Sequence, residues 1–170
     1  MSSPSPKIMK KKPKDRKNNK SITFHYTNKQ MVKDLIKLIP FKENDIALDA
    51  GSGKNKVWQK NCPIKCLECE LEDGCDFLEW DKKVDWVIGN PPFDNQKVFL
   101  KKASEIATKG IAFLGNINFW NGLTQKRLSE MNGFELQHIH IVSDKRWFGR
   151  YYFLIFEKRK GILSWERKTY

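Results

Sequence analysis

Three short apolar runs set the tightest limits on what this chain can fold into. Ile46-Ala47-Leu48, Val84-Asp85-Trp86-Val87-Ile88 and Ile111-Ala112-Phe113-Leu114 are too short for helices that bury a face. Each is bounded by turn residues, so they read as buried strands. Gln96 to Ala107, between the second and third runs, has helical periodicity. Strands that alternate with helices give a mostly parallel sheet covered on both faces. Ile64 to Glu68 adds another strand, and Asp76-Phe77-Leu78 a short edge strand or turn. Glu135 to Val142 and Arg150 to Glu157 follow one another with no helix between, so they are expected to be antiparallel. The expectation is an α/β fold. Its sheet is seven-stranded and mostly parallel, with an antiparallel C-terminal strand.

The helices are abbreviated. Met31, Val32, Leu35, Ile36 and Ile39 make one apolar stripe, closed by Pro40, with Thr27 and Gln30 as its capping box. A brief helical stretch surrounds Val57 and Trp58, and Thr124 to Met131 reads as a further helix. A chain of 170 residues suits one domain. Residues 1–20 are expected to form a disordered basic tail, 21–160 the folded domain and 161–170 a C-terminal tail.

Parallel sheets bind ligands at the carboxyl ends of their strands. Chemistry-bearing residues gather at those ends here. Asp49-Ala50-Gly51-Ser52-Gly53 follows the first strand, and its glycines permit a tight turn with close backbone approach by a ligand. Glu68, ending the second strand, can accept hydrogen bonds from both ribose hydroxyls. Asp76 can accept from an adenine amino group while Phe77 covers the ring. Each of these three also has a plain structural explanation. Asn90-Pro91-Pro92-Phe93 is more specific. Adjacent prolines end the strand and fix the backbone. A rigid turn of this kind can aim the Asn90 side-chain oxygen and the Pro91 carbonyl at one planar amino group. Phe93 then offers a face on which a base can stack.

With those residues in this order, the chain resembles the class I, Rossmann-like S-adenosylmethionine-dependent methyltransferases. Within them it is similar to the amino-methylating branch that includes N6-adenine enzymes. The resemblance covers about residues 22–157. It implies that Asn90, Pro91, Pro92 and Phe93 are catalytic, matching the N-P-P-F/Y motif. It implies S-adenosylmethionine as cofactor, bound by Asp49, Ala50, Gly51, Gly53, Glu68, Asp76 and Phe77, with Tyr26-Thr27 closing over it. The implied reaction is direct methyl transfer to adenine N6 in a nucleic acid, DNA slightly favoured over RNA. Protein glutamine, guanine N2 and a non-catalytic nucleic-acid-binding subunit are the alternatives. Three features depart from the family pattern. Asn28 stands where many relatives have proline. The span from Glu68 to Asp76 leaves room for a turn only, which makes Glu70 an alternative ribose ligand. The helix after Gly53 is short.

Charge points to the partner. The formal net charge is +12, and residues 1–20 hold eight Lys or Arg against one Asp. A basic tail on a mildly basic domain fits DNA or RNA. A partner chain is a further candidate for choosing the target, since the chain has no room for a separate recognition domain. Lys10-Lys11-Lys12-Pro13-Lys14 resembles a nuclear-localisation signal, and neither a membrane span nor a secretory leader is expected from the polar, basic residues given. An intracellular location, cytoplasmic or nuclear, is therefore expected, without membrane association. Cys62, Cys66, Cys69 and Cys75 are expected to be reduced and to pack as small buried side chains. Cys66-x-x-Cys69 invites a zinc reading, but positions three apart on a strand face opposite sides. No metal is expected. Asn116, Phe119 and Trp120 are candidates for the pocket mouth. The turn 145–150 either touches nucleic acid or caps the core, and His138 and His140 have structural roles.

Overall fold

A computed structural model describes residues 27–144 and 149–158. The basic tail, Tyr26, residues 145–148 of the basic–aromatic turn and the segment 161–170 lie outside the described residues.

Eleven elements follow one another: α1 (Lys29–Ile36), β1 (Ile46–Ala50), α2 (Val57–Asn61), β2 (Lys65–Cys69), β3 (Val84–Gly89), α3 (Gln96–Ile106), β4 (Ala107–Asn116), α4 (Ile117–Asn121), α5 (Gln125–Ser129), β5 (Glu135–Val142) and β6 (Tyr151–Glu157). The described strands form one sheet in the order β2-β1-β3-β4-β6-β5. β1 pairs in parallel with β2 and β3, and β3 with β4. β6 runs antiparallel to both β4 and β5, between which it sits.

Alternating side chains build two cores, one on each face. On β4, Ile111 and Phe113 join one core while Ala112 and Leu114 join the other. Leu154 and Phe156 of β6 face the first, and Phe153 and Ile155 the second. α3 covers the first core with Phe99, Leu100, Ala103 and Ile106. α1 and α2 cover the second with Val32, Leu35, Ile36 and Trp58, whose indole stacks on Phe153 at 5.6 Å. The expected two-sided burial is what the structure shows. Gly110 has its own packing role: a Cβ there would collide with the buried Trp86 ring.

The sheet has six strands among the described residues, not seven. Asp76-Phe77-Leu78 is no edge strand: Phe77–Glu79 is one 3-10 turn, capped by Asp76 Oδ1 accepting from the Leu78 N–H at 2.8 Å. A second 3-10 turn, Leu71–Asp73, fills the rest of this connection. So few residues lie between β2 and β3 that turns replace the strand. α1 starts one residue later than the capping box implied. Asn28 is its cap, accepting from the Gln30 N–H at 2.8 Å. Cys69 and Cys75 are joined in a disulfide, contrary to the expectation of four reduced thiols. The two cysteines flank a tight turn that folds their Cα atoms to within 5.2 Å. Cys62 and Cys66 remain free, and no group of three metal-ligating side chains occurs among the described residues. No helix among the described residues is long and apolar enough to cross a membrane.

Candidate active site at the carboxyl ends of β1 and β3

Strand order reverses between β1 and β3, because the chain leaves β1 toward β2 and returns to β3 on the other side. Crevices form at such points. The loops after β1 and β3 both open there.

The loop after β1 is shaped by two glycines in the left-handed region, Gly51 at φ +71° and Gly53 at φ +64°. The N–H groups of Gly51 and Ser52 donate to the Cys69 carbonyl at 2.9 and 3.2 Å, which ties the loop to the end of β2. Asp49 is fully buried beneath it. Its Oδ2 accepts from the Gln59 N–H at 3.0 Å, while Oδ1 has no hydrogen-bond partner. Burial pushes the Asp49 carboxyl up to about 7, against the Gln59 N–H and with help from Cys62, Glu68 and Glu70. Ser52 Oγ is likewise buried without a partner.

Gly89, the last residue of β3, is a site residue that sequence reasoning missed. Its φ is +140°, and a Cβ there would lie 3.0 Å from the Ala50 carbonyl oxygen and 3.1 Å from Asp49 Oδ1. Its bare Cα lets β3 approach β1 where the two loops meet. The signal was present, since a glycine ends an otherwise apolar strand directly before Asn90.

Asn90 follows. Its Nδ2 donates to Thr27 Oγ1 at 3.2 Å, and its Oδ1 is buried with no partner. Pro91 is buried and Pro92 is exposed. The Asn95 N–H donates to the Pro92 carbonyl at 2.8 Å, so the turn closes directly into α3. Phe93 is half-buried, and its ring lies 6.0 Å from that of Tyr151 at the start of β6.

The acidic residues divide differently from the expectation. Glu68 Oε1 accepts from Lys56 Nζ at 2.6 Å. Glu70 makes the loop contact instead: its Oε2 accepts from the Gly53 N–H at 2.6 Å. Asp76 stands at the head of its 3-10 turn, beside the disulfide. Phe77 is buried in the first core and packs on Phe99 at 4.8 Å. The structure thus brings Asp49, Ala50, Gly51, Gly53, Thr27 and Asn90–Phe93 together. Glu68 stands beside Asp49 in the register of β1 and β2, and Phe77 packs behind the site in the first core. Sequence separation cannot tell which of two nearby acids faces a loop.

The flanks are less accessible than expected. Asn116 caps α4, its Oδ1 accepting from the N–H groups of Asn118 and Phe119 at 3.0 and 3.1 Å. Phe119 is buried, and Trp120 stacks on Tyr152 at 6.1 Å. His138 and His140 stack on each other at 6.3 Å on the edge strand β5. On the other flank, Thr27, Asn28, Lys29, Asn55, Val57, Lys60 and Asn61 line an open groove of about 560 Å³.

No protein-family model matches the chain, and no curated protein sequence matches it. Solved structures do match. The magnesium protoporphyrin IX methyltransferase ChlM of Synechocystis PCC 6803, solved with bound S-adenosylmethionine, superposes with a TM-score of 0.57 at 13% identity, covering 77% of this chain and 79% of that one. The 23S rRNA methyltransferase ErmE gives 0.64 at 11% identity over 82% of this chain and 72% of that one. The ribosomal protein L11 methylase of Lactobacillus delbrueckii subsp. bulgaricus gives 0.56 at 13% identity over 76% and 78%. Their names cover a porphyrin, an RNA and a protein, so the shared fold does not choose the acceptor. What such distant likenesses establish is architecture, and the architecture of this chain is the Rossmann-like fold of the class I methyltransferases.

Proposed function

We propose that this protein transfers a methyl group from S-adenosylmethionine to a planar amino group, N6 of adenine in DNA or RNA. One observation carries the reading. Asn90 Oδ1 is a buried acceptor without a partner, on a proline-fixed turn at the switch point, and its amide nitrogen is already engaged by Thr27. A buried acceptor left unmatched costs about 1–3 kcal/mol. A substrate N–H placed there removes that cost.

The crevice fits the cofactor. Gly51 and Gly53 expose backbone, the bare Gly89 leaves space beside Asp49, and Asp49 Oδ1 and Ser52 Oγ are buried polar atoms awaiting partners. Glu70 and Asp76 are the residues we assign to its ribose and adenine amino group, with Glu70 preferred to Glu68 because it already touches the loop. When bound, S-adenosylmethionine supplies a methyl group made electrophilic by its sulfonium. Asn90 Oδ1 and the Pro91 carbonyl accept the two amino hydrogens of the base. This turns the nitrogen lone pair out of conjugation and toward the methyl carbon. Phe93 holds the base by stacking, worth about 1–3 kcal/mol. No side chain would be required as nucleophile: the C–N bond would form as the sulfonium's methyl C–S bond breaks, S-adenosylhomocysteine would be the leaving group, and the amine proton would then pass to solvent. The rate gain comes from orientation and fixed dipoles. A nucleic acid is favoured over a protein by the net charge of +12.

Methyl-labelled S-adenosylmethionine, incubated separately with DNA, RNA and protein pools, tests the reading. Mass spectrometry of the nucleosides is expected to find N6-methylated adenine in one of the nucleic acids. Label confined to the protein pool overturns it. Asn90→Ala is expected to abolish transfer while calorimetric affinity for S-adenosylmethionine stays nearly unchanged.

A further inference from the structure

We infer that Gln96 is a cofactor-binding residue: its side-chain amide donates to a ring nitrogen of the cofactor's adenine, beside the amino group assigned to Asp76. The inference rests on the reading of this crevice as the S-adenosylmethionine site.

Gln96 opens α3, directly beyond the turn that carries Asn90, and it is only 2% exposed. Its Nε2 is buried without a hydrogen-bond partner. Nor does any group among the described residues hold the other end of the amide. The amide is therefore free to turn end for end, and it can present an N–H to a ligand from either orientation. An amide kept from water with nothing to bond destabilises the free protein. A ligand that brings an acceptor relieves this.

The place of Gln96 in the fold points to the ligand. Pro92 precedes it and Phe99 follows it, and both pack on the glycine loop. A Cβ at Gly51 would lie 3.8 Å from Pro92 Cδ and 3.5 Å from the Phe99 ring. Phe99 in turn meets Phe77 at 4.8 Å. α3 runs away from the crevice, so Gln96 stands about 4.5 Å nearer to it than Phe99 does. The connection from β2 to β3 also runs away from the crevice, so Asp76 stands nearer to it than Phe77. Gln96 and Asp76 thus lie on the crevice side of one ring contact. Asp76 Oδ1 accepts from the Leu78 N–H, which leaves Oδ2 for a ligand. Adenine carries its amino hydrogens between two ring-nitrogen acceptors, N1 and N7, so one carboxylate and one amide N–H match it. The substrate side lies across the sheet. Phe93 packs against the second core, which α1 covers, whereas Phe77 and Phe99 belong to the first.

The test uses the full chain, unaltered and with Gln96→Met, which replaces the amide by an unbranched apolar side chain of similar length. Calorimetry measures binding of S-adenosylhomocysteine and of its 1-deaza and 7-deaza analogues, each lacking one ring acceptor. Gln96→Met is expected to bind S-adenosylhomocysteine about tenfold more weakly, the effect of one hydrogen bond. The unaltered protein should lose a similar factor toward one of the two analogues. Gln96→Met should no longer distinguish that analogue from S-adenosylhomocysteine. Without ligand, the urea midpoint of the variant should hold or rise, because an unpaired buried amide has been removed. An unchanged cofactor affinity in Gln96→Met overturns the inference. With a lowered urea midpoint it would make the amide structural, and with a raised KM for an oligonucleotide it would give the amide to the substrate. Equal sensitivity of both proteins to each analogue overturns it as well. If the unaltered protein binds no S-adenosylhomocysteine, the reading of the crevice itself fails.

Discussion

Asp49 and Asn90 meet the crevice as opposites in kind. Asn90 offers a neutral acceptor, and Asp49 a buried carboxyl pushed up to about 7 by the loss of water around it. Because the folded value lies above the unfolded one, protonation stabilises the free protein. Its stability falls as pH rises from about 4 to about 7. A bound cation reverses the preference by favouring the ionised carboxylate. Affinity for cationic S-adenosylmethionine is therefore expected to climb as pH passes up through about 7, by at most tenfold per unit below it. Calorimetry from about pH 6 to 8 measures this, and Asp49→Asn should flatten the profile. A wild-type affinity independent of pH would remove Asp49 from cofactor binding. At this scale, Asn90-Pro91-Pro92-Phe93 was legible because proline geometry is local. Phe77 was not, since its burial against Phe99 is set by residues distant in sequence. Nor does spacing alone separate Glu68, which is held by Lys56, from Glu70, which accepts from the Gly53 N–H.

At the opposite end of the sheet, the starts of β1, β3 and β4 are joined by an ion cluster. Asp45, only 2% exposed, accepts from Lys109 Nζ at 2.5 Å, Trp86 Nε1 at 2.9 Å and the Lys42 N–H at 3.0 Å. Asp85 accepts from the Ile46 N–H at 2.9 Å, and from Thr108 Oγ1 and Lys109 Nζ at 3.0 Å each. Burial alone would raise both carboxyls, but these donors outweigh it and hold both below the usual carboxylate range. Their contribution to stability is thus present above about pH 4 and lost as pH falls through the depressed folded values. Lys109→Met removes the ammonium paired with the buried Asp45. It is expected to cost about 1–3 kcal/mol, seen as a lower urea midpoint. The acid-induced loss should also begin at higher pH than in the unaltered protein. An unchanged midpoint would show the pair to be neutral. Because the cluster lies far from the crevice, transfer per folded molecule should not change. The strands themselves were legible from their apolar alternation. The extension of β4 over Ala107–Asn116 was not, because pairing with β3 at Ala107 and with β6 from Gly110 to Asn116 sets its length.

At the scale of the whole molecule, alternating strands and helices were enough to read a two-sided parallel sheet, and the sheet in turn places the crevice. Charge bears on the proposed nucleic-acid partner. Residues 1–20 carry a net +7, leaving +5 on the rest of the chain. The first twenty residues hold eight Lys or Arg, enough to displace several counterions if they engage the phosphates. For duplex DNA the logarithm of affinity falls against the logarithm of salt with a slope of about 0.9 per neutralised phosphate. If the whole tail engages, deleting residues 1–20 should shallow that slope by as much as about six. Titrations of both forms at several salt concentrations decide it. Affinity should drop most at low salt and converge at high salt, because the lost contacts are electrostatic. Turnover at saturating oligonucleotide should be retained, since Thr27, Asn90 and the glycine loop all lie outside the deletion. An unchanged slope would assign the basic run to solubility or localisation. It would also leave substrate capture to the groove beside α1 and α2, where Lys29 and Lys60 face solvent.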